Sequence, residues 1–253
     1  MIATDITRDN VHLTPNYPGA MRPGFSPRRA ARIAGVSYIL LFVLAIFGNF
    51  VVVQGMVDPD SGAATLANIT RSIGLFRLGL IAFMVIFLLD VVVAWALHMV
   101  FREVDHDVSL GAAWFRVVYT VLLGVALVFF YQALHLVSDA GLASAFSTEQ
   151  IGAQTLAAMQ SFNDVWLVGL AAFGIHLVII GYLVNRSGYT SRVLGWLLVA
   201  AGVAYILDTT ARTLLGNYAD FENLFLAVVA IPSMVGEGWL GLWLLPGNQK
   251  PAS

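Results

Sequence analysis

The sequence predicts an all-α polytopic membrane protein, a bundle of six transmembrane helices with both termini in the cytoplasm. Three observations carry this reading. Apolar residues make up 59% of the 253-residue chain and charged residues only 11%, with a mean hydropathy of +0.82; a soluble domain carries about 25% charged residues. Six stretches are each long enough to cross a hydrocarbon core of about 30 Å, which takes about 20 mostly apolar residues in a helix. Lys and Arg also gather on one side of the alternating loops.

Residues 1–29 are polar and carry Pro15, Pro18, Pro23 and Pro27, so a flexible cytoplasmic tail is expected there. The first apolar stretch, 31–54, is too long for the core of a signal peptide and no A-x-A cleavage site follows it. It reads as a retained anchor. Residues 61–71 (SGAATLANITR) read as a short surface helix leading into the second span, 74–101, and the third span covers 110–137. Ser147 and Gln150 have the spacing of a capping box. The helix they open runs into the fourth span, 161–184. From 148 to 184 it would measure about 55 Å, so part of it must project from the membrane or bend. The fifth and sixth spans cover 192–214 and 223–245, and a short C-terminal tail, 248–253, follows. The six-helix transmembrane domain is thus expected over residues 30–247. None of the spans shows the period-2 alternation of a barrel strand, and backbone groups in lipid must be satisfied internally, so these segments are helices.

With the N-terminus inside, the cytoplasmic side holds Arg8, Arg22, Arg28, Arg29, Arg32, Arg102, Arg186, Arg192 and Lys250, nine of the thirteen basic residues. The outer loops hold Arg71, Asp58, Asp60, Asp139, Glu149, Asp220 and Glu222. This asymmetry orients the chain N-in and C-in. Trp114, Tyr182, Tyr189, Trp196 and Trp243 fall near the inner interface, as an aromatic belt would.

Composition removes several function classes. The absence of cysteine excludes disulfides, Fe–S clusters, Cys-ligated zinc and C-x-x-C-H haem attachment. Lys250 is the single lysine, which argues against a buried Schiff base. A net charge of −2 does not suit nucleic-acid binding. GEGWLG at 236–241 matches G-x-G-x-x-G, but no strand precedes it and it lies in an apolar span. Its glycines better suit close helix approach. Together with Pro232 they are expected to weaken the sixth helix beside Glu237, and broken helices line transporter sites. Neither G-x-S-x-G nor a Walker lysine occurs.

Ten ionisable residues fall within the spans, where a charge costs about 2.5–3.5 kcal/mol at the helix centre and faces the bundle interior. By depth they form two layers. The outer one holds Arg77, His135, Asp164, Asp208 and Arg212, joined by Tyr131, Gln132 and Asn163. Asp90, Arg116, His176 and Glu237 lie deeper, with His98 near the inner interface. Asp208 and Arg212 are i,i+4 neighbours in the favourable acid-first order. Four carboxylates face three arginines, leaving one negative charge for a proton or a cation to balance, and transporters build proton relays from such groups. The ligand- or proton-binding candidates are therefore Asp90, Arg116, His176, Glu237, Asp208, Arg212, Arg77 and Asp164. Ion pairs that only glue helices together would account for the same residues.

GLFRLG at 74–79, Asp90 within FLLDVVVA, FRVVYT at 115–120, GIHLVIIGYLVNRSGY at 174–189, LGWLLVAAGVAYILDT at 194–209 and GEGWLGLWLLPG at 236–247 occur in that order. The ordered set resembles the bacterial multi-pass membrane family catalogued as domain of unknown function 4386, over roughly residues 30–247. The resemblance implies a bacterial inner-membrane protein of about six helices and supplies no activity or catalytic residue.

The leading expectation is binding or transport of a small molecule or an ion, with proton linkage. A second is an intramembrane metal-dependent hydrolase or other lipid-directed enzyme, its zinc held by Asp90, His98, His176 and Glu237, though no H-E-x-x-H supports it. Bis-His haem would need His98 and His176 on facing helices at one depth. A third is a non-catalytic membrane component acting through a partner. No cofactor or resident metal is expected, membrane lipid is the expected partner, and the sequence does not identify protein partners. Monomer and dimer both remain open.

Overall fold

A computed structural model describes residues 25–247. The expected tails 1–24 and 248–253, with Arg8, Arg22 and Lys250, lie outside the described residues. In chain order the helices are α1 (Pro27–Ala45), a π-helical segment (Ile46–Val53), α2 (Gln54–Met56), α3 (Gly62–Arg71), α4 (Ile73–Phe101), α5 (His106–Ser138), α6 (Ala140–Ala145), α7 (Thr148–Ser187), α8 (Arg192–Leu214), a 3-10 turn (Tyr218–Phe221) and α9 (Glu222–Leu244). There is no strand among the described residues. Six helices are long and apolar enough to cross a membrane: Pro27–Met56, α4, α5, α7, α8 and Tyr218–Leu244.

Polar side chains fix where these helices begin. Ser26 caps α1 with Pro27 in the first turn, so the helix starts inside the segment expected as tail. Asp105 caps α5 and Ser191 caps α8. At Ser147 both capping-box bonds form, its N–H to Gln150 Oε1 (2.9 Å) and the Gln150 N–H to its Oγ (3.2 Å). The 40 residues of α7 therefore run as one helix of about 60 Å, twice the hydrocarbon thickness. Residues 148–160 precede the apolar span. There α3 lies against it so closely that a Cβ at Gly62 would come within 2.7 Å of the Gly152 backbone.

Each spanning helix packs on its sequence neighbour, and α9 closes back on α1, giving a ring in the order α1, α4, α5, α7, α8, α9. Small residues set the approach. A Cβ at Gly174 of α7 would stand 2.6 Å from the Gly202 carbonyl of α8, so these two backbones touch. The π-helical segment seats Gly48 against Phe83 and Val52 against Gly79. Helix α9 runs continuously through Pro232.

Inside the ring, Phe76, Phe83, Phe130, Phe162 and Trp166 form an aromatic plug, with ring centroids 4.6–6.0 Å apart. The outward surface is apolar instead, with Leu88, Val128, Val168, Trp196 and Leu207 among its exposed side chains. Water would not tolerate so continuous an apolar surface; hydrocarbon does.

Candidate polar centre within the bundle

Four side chains from four helices meet at one depth. Tyr38 lies 11 residues from Pro27, Asp90 11 from Phe101, Arg116 10 from His106 and His176 11 from Ser187. Each is thus about 16 Å from the end of the bundle nearest the chain termini. Arg116 and Asp90 are both 2% exposed. Arg116 Nε donates to Asp90 Oδ1 at 2.9 Å and Nη2 donates to the same oxygen. Nη1 donates to the Tyr38 hydroxyl at 2.8 Å and to His176 Nε2 at 3.2 Å. The guanidinium also lies 5.0 Å from the Tyr38 ring centroid and 5.2 Å from that of Phe173. Four of the five N–H donors of Arg116 are engaged, so one cation ties α1, α4, α5 and α7 together.

The hydrogen bonds assign the form of His176. Its Nδ1 lies 2.9 Å from the Ala112 carbonyl, which can only accept, so Nδ1 carries the proton. Its Nε2 faces a guanidinium, which can only donate, so Nε2 is the acceptor. The imidazole is therefore neutral. Glu237 of α9 interacts electrostatically with Arg116, Asp90, Tyr38 and Tyr205. It is half-buried and makes no hydrogen bond or ion pair among the described residues.

The remaining candidates separate from this centre. Asp208 and Arg212 pair at the opposite end of the bundle (Oδ2 to Nε, 3.6 Å), where Arg212 also approaches Glu222 at 3.5 Å and stacks 4.4 Å over the Tyr218 ring. Tyr218 donates its hydroxyl to Asp208. Arg77 and Asp164 are exposed on the outer surfaces of α4 and α7, without a hydrogen bond or ion pair among the described residues. Helical depth indicated their level but not the face on which they lie.

Among the described residues His98 and His176 are each occupied by hydrogen bonds rather than gathered together. No three His, Asp or Glu side chains converge as metal ligands among the described residues. His98 engages Ser109 Oγ at 2.9 Å, and both ring nitrogens of His176 are taken. Sequence reasoning missed Tyr38 and Phe173. Tyr38 could have been found by counting residues inward from the helix end, since it shares the depth of the three charged or imidazole side chains.

Six apolar helices around a buried arginine–aspartate centre define a multi-pass helical membrane protein. The chain belongs to the family described as domain of unknown function (DUF4386), whose model matches residues 33–246. It is similar to an uncharacterized protein of Archaeoglobus fulgidus, 29% identical over 171 residues that make up 68% of this chain and 84% of that protein. No solved structure matches.

Proposed function

We propose that the protein binds and transports a small molecule or ion, with a proton or a monovalent cation taken up at Glu237. The observation that carries this reading is the charge balance of the centre. Asp90 neutralises Arg116 and the hydrogen bonds keep His176 neutral, so the Glu237 carboxylate is a surplus negative charge without a hydrogen-bond partner among the described residues. A lone charge in a low-dielectric interior is costly unless something compensates it. One proton or one small cation from solution does so, and a transported ligand exchanges with it. The Arg116 network, with four of its five N–H donors engaged, is then the fixed frame, and Glu237 the exchanging group.

The disposition of basic residues supports a cytoplasmic location for both termini and, for a bacterial chain, the inner membrane. Arg28, Arg29, Arg32, Arg102, Arg186 and Arg192 lie at the terminal end, while Asp58, Asp60, Asp139, Glu149, Asp220 and Glu222 lie at the other.

The test is flux in reconstituted vesicles carrying a trapped pH-sensitive dye, challenged with Na+, K+ or Li+ gradients. The wild-type protein should couple at least one cation gradient to a change of internal pH, and Glu237→Gln should abolish it. Wild-type vesicles indistinguishable from protein-free ones, or unchanged flux in Glu237→Gln, overturn the reading.

A further inference from the structure

Arg77 is exposed on α4 with no carboxylate paired to it among the described residues, and from two helical turns inward of it the surface is not flat. A groove of about 520 Å³ runs between α4 and α5, bounded by Met84, Phe87, Val128 and Tyr131 and closing outward at His135. Gly124 forms its floor, where a Cβ would stand 2.8 Å from the Phe87 ring. Val128 is 63% exposed along its open side.

Depth gives the groove its meaning. About 20 residues of helix cross the hydrocarbon. Centred on the midpoint of α4, that band runs from about residue 77 to 97, and centred on α5, from about 112 to 132. Phe87 and Gly124 therefore sit at the midplane, and Arg77 and His135 at one boundary. From Gly124 to His135 the wall rises about 16 Å, the depth of one leaflet. Arg77 precedes Met84 by seven residues, two helical turns, and so continues the same wall outward. The contact of Phe76 with Phe130 (ring centroids 4.6 Å apart) places the neighbouring residues Arg77 and Tyr131 at a common level.

We infer that this groove holds one phospholipid of the leaflet farther from the chain termini. Its acyl chain lies between α4 and α5, and its phosphate meets Arg77, with His135 and the Tyr131 hydroxyl beside it. The apolar walls match the chain, and the unpaired guanidinium matches the phosphate through charge-assisted, bidentate hydrogen bonds. The nearest carboxylate along α5, Asp139, lies one turn beyond His135 and accepts from the Gly141 N–H. The inference is independent of the reading at Glu237, which lies on another helix.

Native mass spectrometry of the full chain in mild detergent tests it, with phosphatidylglycerol as probe and diacylglycerol as the phosphate-free control. The wild-type protein should retain one phosphatidylglycerol and no diacylglycerol. Arg77→Gln should weaken retention by about tenfold or more, the loss expected for hydrogen bonds to a charged group. Val128→Trp, which fills the open groove at an exposed position, should abolish it. Helicity by circular dichroism should be unchanged in both variants. Wild-type retention in either variant overturns the proposal. So does a dimer that Val128→Trp dissociates without altering lipid retention, because a second copy of the chain would then occupy the groove.

Discussion

Two of the Asp–Arg pairs among the described residues, one made within a helix and one between helices, differ in everything but their chemistry. Asp208 and Arg212 are neighbours on one helix, 3.6 Å apart, with Arg212 one-third exposed. Asp90 and Arg116 come from different helices, share two hydrogen bonds and are almost wholly buried. The first pair is made by local spacing and would form on an isolated helix. The second exists only when the ring is assembled, and it recruits Tyr38 and His176 on the way. Exposed i,i+4 pairs contribute about 0.3–0.5 kcal/mol. Breaking a buried pair by removing one partner costs about 3–5 kcal/mol, because a charge is left without compensation. The buried pair acts as a joint between helices deep in the bundle, and the partly exposed pair sits at one helix end, where Tyr218 and Glu222 meet it.

Removing the guanidinium presses hardest on that comparison. Arg116→Met leaves Asp90 alone in the interior and should lower stability in detergent by about 3–5 kcal/mol. Replacing both partners, as Asp90→Leu with Arg116→Met, should restore most of it, since well-packed apolar residues can stand in for a buried pair. Thermal unfolding followed by circular dichroism reads both, and a single variant as stable as its parent would dissolve the distinction. His176→Phe strips one acceptor from Arg116 and the donor from the Ala112 carbonyl. A loss of about 1–3 kcal/mol is expected by the same measurement, and no change would mean that the arginine needs only its carboxylate. Arg212→Gln should cost less than about 1 kcal/mol. A drop matching that of Arg116→Met would show that the far end of the bundle is as tightly joined as the centre.

Much of this architecture was legible because length and hydropathy are one-dimensional properties. The fifth span was expected over 192–214 and α8 covers Arg192–Leu214. The capping box at Ser147 announced the start of α7, and residues 61–71 announced α3. Which side of a helix faces inward was not legible in the same way. Nearly uniform apolar spans leave rotation about the helix axis unmarked, so Arg77 and Asp164 were grouped with Asp208 by depth although they face outward. Of the deep residues, Asp90, Arg116 and His176 do meet, because burial forces polar groups to find partners at their own level. Tyr38 was missed because an aromatic ring blends into an apolar span while its hydroxyl does not. The π-helical segment left no local signature, since it reflects how Gly48 and Val52 fit against α4.

The residues of the polar centre are made in chain order, Tyr38 first and Glu237 last. Asp90 is made 26 residues ahead of Arg116, an interval of about 1–5 s at ~5–20 residues per second, and for that time its partner is missing. The two helices that carry them are joined by a turn of only four residues, 102–105. Delivering α4 and α5 to the lipid together, as a hairpin already neutralised at its middle, spares the membrane a bare charge. His176 and then Glu237 arrive later, His176 to accept from an arginine already paired with Asp90.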